Sequence, residues 1–175
     1  MSRAFFFDRD GIVNRRIVGD YVKKIEEFVF NDGFFELFKA VKGKGFLAIL
    51  VTNQQGIGKG LMTEDDLEEI HRYMNDKLMG EVGYSFDAIY FCSDLDGTGS
   101  KRRKPETGMF EEAIERFGID ASSSWTIGDS VSDVKAGKSI GTQTILVGSH
   151  LQNELADYLF PSIADVKEFF DKNVN

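Results

Sequence analysis

The chain has 175 residues, a formal net charge of −8 and a sequence pI of about 4.8, which suits one ordinary domain over 1–175 with a sizeable core. Hydrophobic residues make up 42% and phenylalanine alone numbers 16, as in a packed globular protein. The acidic balance argues against a general nucleic-acid binder, the single cysteine excludes an internal disulfide framework and suits a reducing cytoplasmic setting, and no apolar run is long enough to span a membrane.

Arg3–Asp8 predicts a first strand, and Met1-Ser2-Arg3 runs straight into it, leaving no room for a signal peptide. Its Phe5-Phe6-Phe7 run suits side chains packed on both faces of a sheet. The run ends in Asp8-Arg9-Asp10-Gly11. Two anions there repel each other and are costly to desolvate, and a cation between them removes both penalties. A spacing of two puts Asp8 and Asp10 on the same face of an extended strand. Asp32–Lys44 predicts a helix with Phe35, Leu37, Phe38 and Val41 mostly on one side. Phe46–Thr52 is a continuous apolar run, expected as a strand buried on both faces. Gly56-Ile57-Gly58-Lys59-Gly60 lacks the spacing of a nucleotide phosphate loop and reads as a flexible loop at the mouth of a site. Thr63 opens a helix through about Gly80, with Asp66 three residues on as in a capping box. Phe86–Cys92 predicts a third strand, and Glu106–Phe117 a helix stopped by Gly118. Ser124–Ile127 is a short strand, Val131–Ile140 a helix, Thr144–Val147 a strand, and Ser162 caps a last helix.

Strands alternating with helices predict a doubly wound parallel α/β sheet, Rossmann-like, with helices on both faces. Ligands of such folds bind at the carboxyl ends of the strands. Four strand ends here carry Asp8 with Asp10, Thr52 with Asn53, the basic stretch Arg102-Arg103-Lys104-Pro105, and Gly128-Asp129. Acid, hydroxyl, base and acid gathered at one edge suit an anionic substrate held beside a divalent cation. A single Asp at a strand end is more simply a turn or cap residue, but four matched strand ends are hard to dismiss.

These stretches resemble the haloacid dehalogenase superfamily of aspartate-nucleophile phosphatases, whose four motifs appear in order as DRDG (Asp8–Gly11), VTNQ (Val51–Gln54), RKP (Arg103–Pro105) and GDSVSD (Gly128–Asp133). More narrowly, DRDGIVN, VTNQQGIGKG and RRKPETGMFEEA are similar to the small sugar-bisphosphate and histidinol-phosphate phosphatases. The resemblance implies a Mg²⁺-dependent phosphomonoesterase with Asp8 as nucleophile, forming an aspartyl phosphate. It implies Asp8, Asp129 and the backbone carbonyl of Asp10 as metal ligands, and the Asp10 side chain as general acid and base. Thr52 and Asn53 would meet the phosphate, Lys104 would supply a point charge, and Arg103 a planar fork for substrate. Asp133 is expected as a supporting residue, with a helix-capping Asp as the rival reading.

Lys101 and Arg102 read as solvated loop charges, Cys92 as a core residue, and neither His71 nor His150 as catalytic. Relatives commonly carry a Cys/His zinc loop before the third motif, whereas Cys92–Lys101 holds one Cys and no His, so no zinc is expected. Ser130 stands where heptose bisphosphate phosphatases often place a lysine. About 20 residues separate Asp10 from the first helix, too few for a cap domain. The resemblance implies as substrate a small phosphorylated metabolite, foremost a seven-carbon sugar 1,7-bisphosphate, handled by a monomer or small homo-oligomer without nucleic acid or membrane. Histidinol phosphate is the alternative. A nucleic-acid 3′ end fits the acidic charge poorly, and a non-enzymatic phosphoacceptor switch would not need Asp10.

Overall fold

A computed structural model of the chain describes residues 1–148 and 155–175; His150 lies outside the described residues. Six strands form one parallel sheet: β1 (Ala4–Phe7), β2 (Leu47–Asn53), β3 (Ala88–Cys92), β4 (Trp125–Gly128), β5 (Gln143–Val147) and β6 (Tyr158–Phe160). Their spatial order is β3-β2-β1-β4-β5-β6. The chain therefore winds outward from β1 in both directions, and the strand order reverses between β1 and β4. That reversal opens a crevice at the carboxyl edge, where a doubly wound sheet binds ligands.

The phenylalanine run divides as a strand should. Phe5 and Phe7 enter one core with α1 (Phe34–Gly43), α3 (Glu64–Val82) and α6 (Ile163–Asn173), through Leu37, Phe38, Leu67, Ile70 and Phe170. Ala4 and Phe6 enter the other, against α4 (Gly108–Phe117) and α5 (Val131–Ile140), through Met109, Phe110 and Ala136. Both faces of β1 are thus covered, which is why its sequence is apolar without alternation. The Thr63 hydroxyl accepts a bond from the Asp66 amide and the Asp66 carboxylate accepts one from the Thr63 amide, closing the expected capping box. In α1 it is Phe34, with Leu37, Phe38 and Val41, that is buried, while Phe35 is only partly so.

Three local expectations are corrected. The sheet releases the chain at Phe7, not Asp8, and residues Arg9–Asn14 close a turn in which the Arg9 carbonyl accepts from the amides of Ile12, Val13 and Asn14. Asp8 and Asp10 are therefore not neighbours on one face of an extended strand. The glycine-rich stretch after β2 begins as a helical turn, α2 (Gln55–Gly58). A Cβ on Gly58 would lie 2.4 Å from the Ser93 carbonyl oxygen, so this glycine permits close packing and not looseness. Finally, β6 has no counterpart among the expected strands. Between Asp10 and α1 the chain forms turns, isolated bridges of Asn14 with Asp10 and Phe30, and a short 3₁₀ segment at Ile25–Glu27, with no separate folded unit. Among the described residues no helix is long and apolar enough to cross a membrane.

Candidate active site

The crevice between β1 and β4 gathers Asp8, Lys104, Asp129 and Asp133. Asp8 follows β1 and is held to the next strand by its amide, which donates to the Ile127 carbonyl at 3.0 Å. Lys104 is buried and spends all three donors. Its Nζ donates to Asp8 Oδ1 at 2.8 Å, to Asp133 Oδ1 at 2.6 Å and to the Val51 carbonyl at 2.6 Å. One ammonium thus ties the ends of β1 and β2 to the first turn of α5. Burial works against its charge, but Asp133 and then Asp8 outweigh that and raise its pKa above the usual lysine range.

One cation shared by two carboxylates leaves a deficit. Burial raises the Asp8 pKa well above the ordinary carboxylate range; Asp133 raises it further, Lys104 opposes, and Asp129 adds to the rise. Asp129 is raised as well, first by burial, with Arg16 opposing and Asp133 adding. The Asp8, Asp129 and Asp133 carboxylates each present an oxygen within 4.8 Å of the others. Asp133 has both oxygens engaged, one by Lys104 and the other by the Ser130 amide and hydroxyl at 3.2 and 2.8 Å. Asp133 is therefore at once the helix cap and a partner of the lysine. Crowded, under-compensated hard oxygens on Asp8 and Asp129 fit a hard divalent cation.

Two glycines make this crowding possible. Gly11 has φ +93°, and a Cβ there would lie 2.0 Å from Asp129 Oδ2. A Cβ on Gly128 would lie 2.2 Å from the Asp133 side chain. Side chains at either position would displace a carboxylate.

Asp10 sits in a cradle that the sequence pattern alone does not indicate. Arg9 Nη2 donates to its two oxygens at 3.1 and 3.2 Å, Asn14 Nδ2 to Oδ1 at 3.0 Å, and Gln54 Nε2 to Oδ2 at 2.9 Å. Burial pushes its pKa up, but the Arg9 charge and the bonds from Asn14, Gln54 and Arg9 bring it below the ordinary value. Arg9 itself is fully buried, and its Nη1 meets His71 Nε2 on α3 at 3.3 Å. Burial and the Arg9 charge depress the His71 pKa to about 3, so its ring is neutral and accepts the bond. His71 does not line the cleft, and it buttresses the arginine that holds Asp10.

Thr52 is fully buried; its Oγ1 accepts from Gln54 Nε2 at 2.9 Å, which leaves its proton to donate. Asn53 is bonded both ways to the Lys104 backbone, donating to its carbonyl at 3.1 Å and accepting from its amide at 3.0 Å, so it fixes the lysine segment. Arg103 is anchored by its Nη1 to the Asp94 carbonyl at 3.3 Å and lines the cleft. Arg102 instead pairs outward with Glu112 at 2.6 Å, and Cys92 is buried, as expected of both. The cleft above Asp8 and Asp10 encloses about 590 Å³. Its outer wall is the stretch 16–21 and Lys59, whose Nζ donates to the Tyr21 hydroxyl at 2.9 Å. An open, mostly polar cavity of this size with four cations on its rim and floor takes a multiply charged small molecule.

Comparison with known proteins agrees with this geometry. A family model described as HAD-hydrolase-like matches residues 101–166. The chain is 42% identical over 153 residues to the D-glycero-alpha-D-manno-heptose-1,7-bisphosphate 7-phosphatase of Burkholderia mallei, covering 83% of this chain and 79% of that protein. It is 36% identical over 171 residues to the D-glycero-beta-D-manno-heptose-1,7-bisphosphate 7-phosphatase of Helicobacter pylori, covering 97% and 96%. The crystal structure of D,D-heptose 1,7-bisphosphate phosphatase from B. bronchiseptica, complexed with magnesium and phosphate, superposes with a TM-score of 0.87 at 26% identity over 98% of this chain and 99% of that one.

Proposed function

Since the chain belongs to the heptose-1,7-bisphosphate 7-phosphatase family of haloacid dehalogenase-like hydrolases, we propose that it cleaves the 7-phosphate of D-glycero-D-manno-heptose 1,7-bisphosphate, with Asp8 as nucleophile and Asp10 as proton carrier. The observation that carries this reading is the placement of Asp8 on the floor of the cleft, with one oxygen pinned by Lys104. Pinning Oδ1 leaves the other oxygen to attack phosphorus, and fixes its direction. As the new O–P bond forms, the bond to the sugar oxygen breaks, and Asp10 gives that oxygen a proton. Water then attacks the aspartyl phosphate, passing a proton to Asp10, and the acyl O–P bond breaks to release inorganic phosphate and restore both carboxyl groups.

Asp8, Asp129 and the Asp10 backbone carbonyl would hold Mg²⁺, which when bound masks phosphate charge and so admits an anionic nucleophile. Lys104 has no donor to spare for the phosphate, so its part is to hold Asp8 and lend its charge at short range. The Arg9, Asn14 and Gln54 cradle keeps Asp10 ionised in the free site. An approaching phosphate dianion works in the opposite sense, so Asp10 takes up from solvent, as the substrate binds, the proton that it later donates. Thr52 would donate its hydroxyl to a phosphate oxygen, and Arg103 would orient the sugar end.

The test is a side-by-side measurement of kcat/KM for the alpha and beta anomers of the heptose 1,7-bisphosphate, histidinol phosphate and a hexose monophosphate, with Mg²⁺ and with a chelator. One bisphosphate anomer is expected to lead by at least about tenfold, roughly 1.4 kcal/mol of differential transition-state binding. All rates should collapse with the chelator and return with Mg²⁺. Preference for histidinol phosphate would overturn the substrate, and chelator-resistant turnover the metal dependence.

A further inference from the structure

Arg16 has no part in the chemistry above, yet it lies across it. It stands on the crossover between β1 and α1, and its Nη2 donates to Asp129 Oδ1 at 2.8 Å. Its side chain is 51% exposed while that of Asp129 is 17% exposed, so the guanidinium reaches from the cleft wall onto a carboxylate that sits beside Asp8. Apart from Asp129, no hydrogen bond or ion pair of its side chain is found among the described residues. An arm held at one end by a single ion pair, with its stem on an exposed crossover, is free to swing when that partner is taken.

Asp129 is one of the two carboxylates free to hold the cation. A guanidinium and a divalent ion on the same carboxylate repel each other at short range. The divalent ion has twice the charge and can draw on Asp8 as well, so it displaces the arginine. The displaced group stays over a cleft that Lys59 and Arg103 also line. A planar fork there matches a phosphate by two parallel bonds.

We propose that Arg16 is a metal-released substrate arm: it occupies Asp129 while the cation is absent, and on release it binds the phosphate of the substrate that is not hydrolysed. The second half rests on the bisphosphate reading above; the first half does not. It makes binding ordered, cation before substrate, since the arm is free only in the loaded site.

Two measurements on the intact chain test it. Calorimetric titration of the substrate-free enzyme with Mg²⁺ reads the competition directly. Arg16→Ala should bind Mg²⁺ about five- to tenfold more tightly than wild type, and Arg16→Lys, which keeps a charge at that place, should fall nearer wild type. Unchanged or weaker Mg²⁺ binding by Arg16→Ala would overturn the release. Kinetics then read the arm: Arg16→Ala should lose at least about tenfold more kcat/KM on the 1,7-bisphosphate than on the heptose 7-phosphate. Equal losses on the two sugars would remove Arg16 from the second phosphate. Equal use of the two sugars by the wild type would instead overturn the bisphosphate reading, and the calorimetric result would stand apart from it.

Discussion

Asp8→Asn is expected to lower turnover by at least about three orders of magnitude, some 4 kcal/mol of lost transition-state stabilisation, while the protein keeps its fold. The substitution keeps size and shape, so the new side-chain carbonyl can still accept from Lys104, but an amide does not displace an alkoxide from phosphorus. The structure adds a second, opposite effect. Burial and the nearby Asp133 charge raise the Asp8 pKa well above 3.8, which means that the folded state disfavours the ionised carboxylate. A group with a raised pKa contributes stability only while protonated, and near neutral pH its charge is a liability. In chelator, Asp8→Asn should therefore melt at or above the wild-type temperature while being nearly inactive with Mg²⁺ restored. Initial rates and thermal melts on the same preparations check both. Near-normal turnover by the folded variant would end the covalent mechanism, and a large fall in Tm would contradict the reading of the local charge balance.

Lys104→Met should damage both activity and stability. The apolar chain fits a buried stem of similar length, but two carboxylates lose their shared cation and the Val51 carbonyl loses its donor. Removing one partner from a buried ionic cluster costs about 3–5 kcal/mol, which in a protein of this size lowers Tm on the order of 10 °C. The pH dependence carries a sign. Without Lys104 the Asp8 pKa rises further still, so the folded state binds protons that the unfolded chain releases near 3.8. Stability of the variant relative to wild type should therefore recover as pH falls toward about 4 and worsen as it rises. Urea unfolding at a series of pH values reads this, and a pH-independent gap would assign the loss to packing alone.

The strand ends were legible because parallel strands buried on both faces announce themselves as unbroken apolar runs, and the polar residue that breaks a run marks the sheet edge. Asp8 and Asp129 come together on that logic, and Lys104 joins them from the loop that follows β3. The cradle of Asp10 was not legible, because it depends on a turn. An extended reading of Asp8-Arg9-Asp10 gives Arg9 no reason to be buried, whereas the turn after Phe7 takes it inward beside Phe28, with its guanidinium 5.9 Å from the ring centre. One signal was available. His71 falls with Leu67, Ile70, Met74 and Leu78 on the buried stripe of α3, and a polar ring at a core position asks for a polar partner. In β6, three residues with one side chain half exposed give too short a pattern to separate from a loop. In α2, Gly56 and Gly58 look like hinges, while they are bare for packing against Tyr21 and Ser93.

The cleft is built by two kinds of backbone. Asp8 and Asp133 are each bonded to Lys104, and Asp8 and Lys104 to strand residues as well, so none can shift without disturbing the sheet. The outer wall hangs on the 16–21 crossover, where Val18 is 93% exposed, and on the short turn that carries Lys59. Changes there meet little resistance from the core, since surface substitutions away from special features seldom alter stability by more than about 0.5 kcal/mol. Evolution can therefore redraw which phosphorylated sugar fits without touching how the phosphate is cut. Descendants of such a scaffold would diverge first in diet and only much later in chemistry.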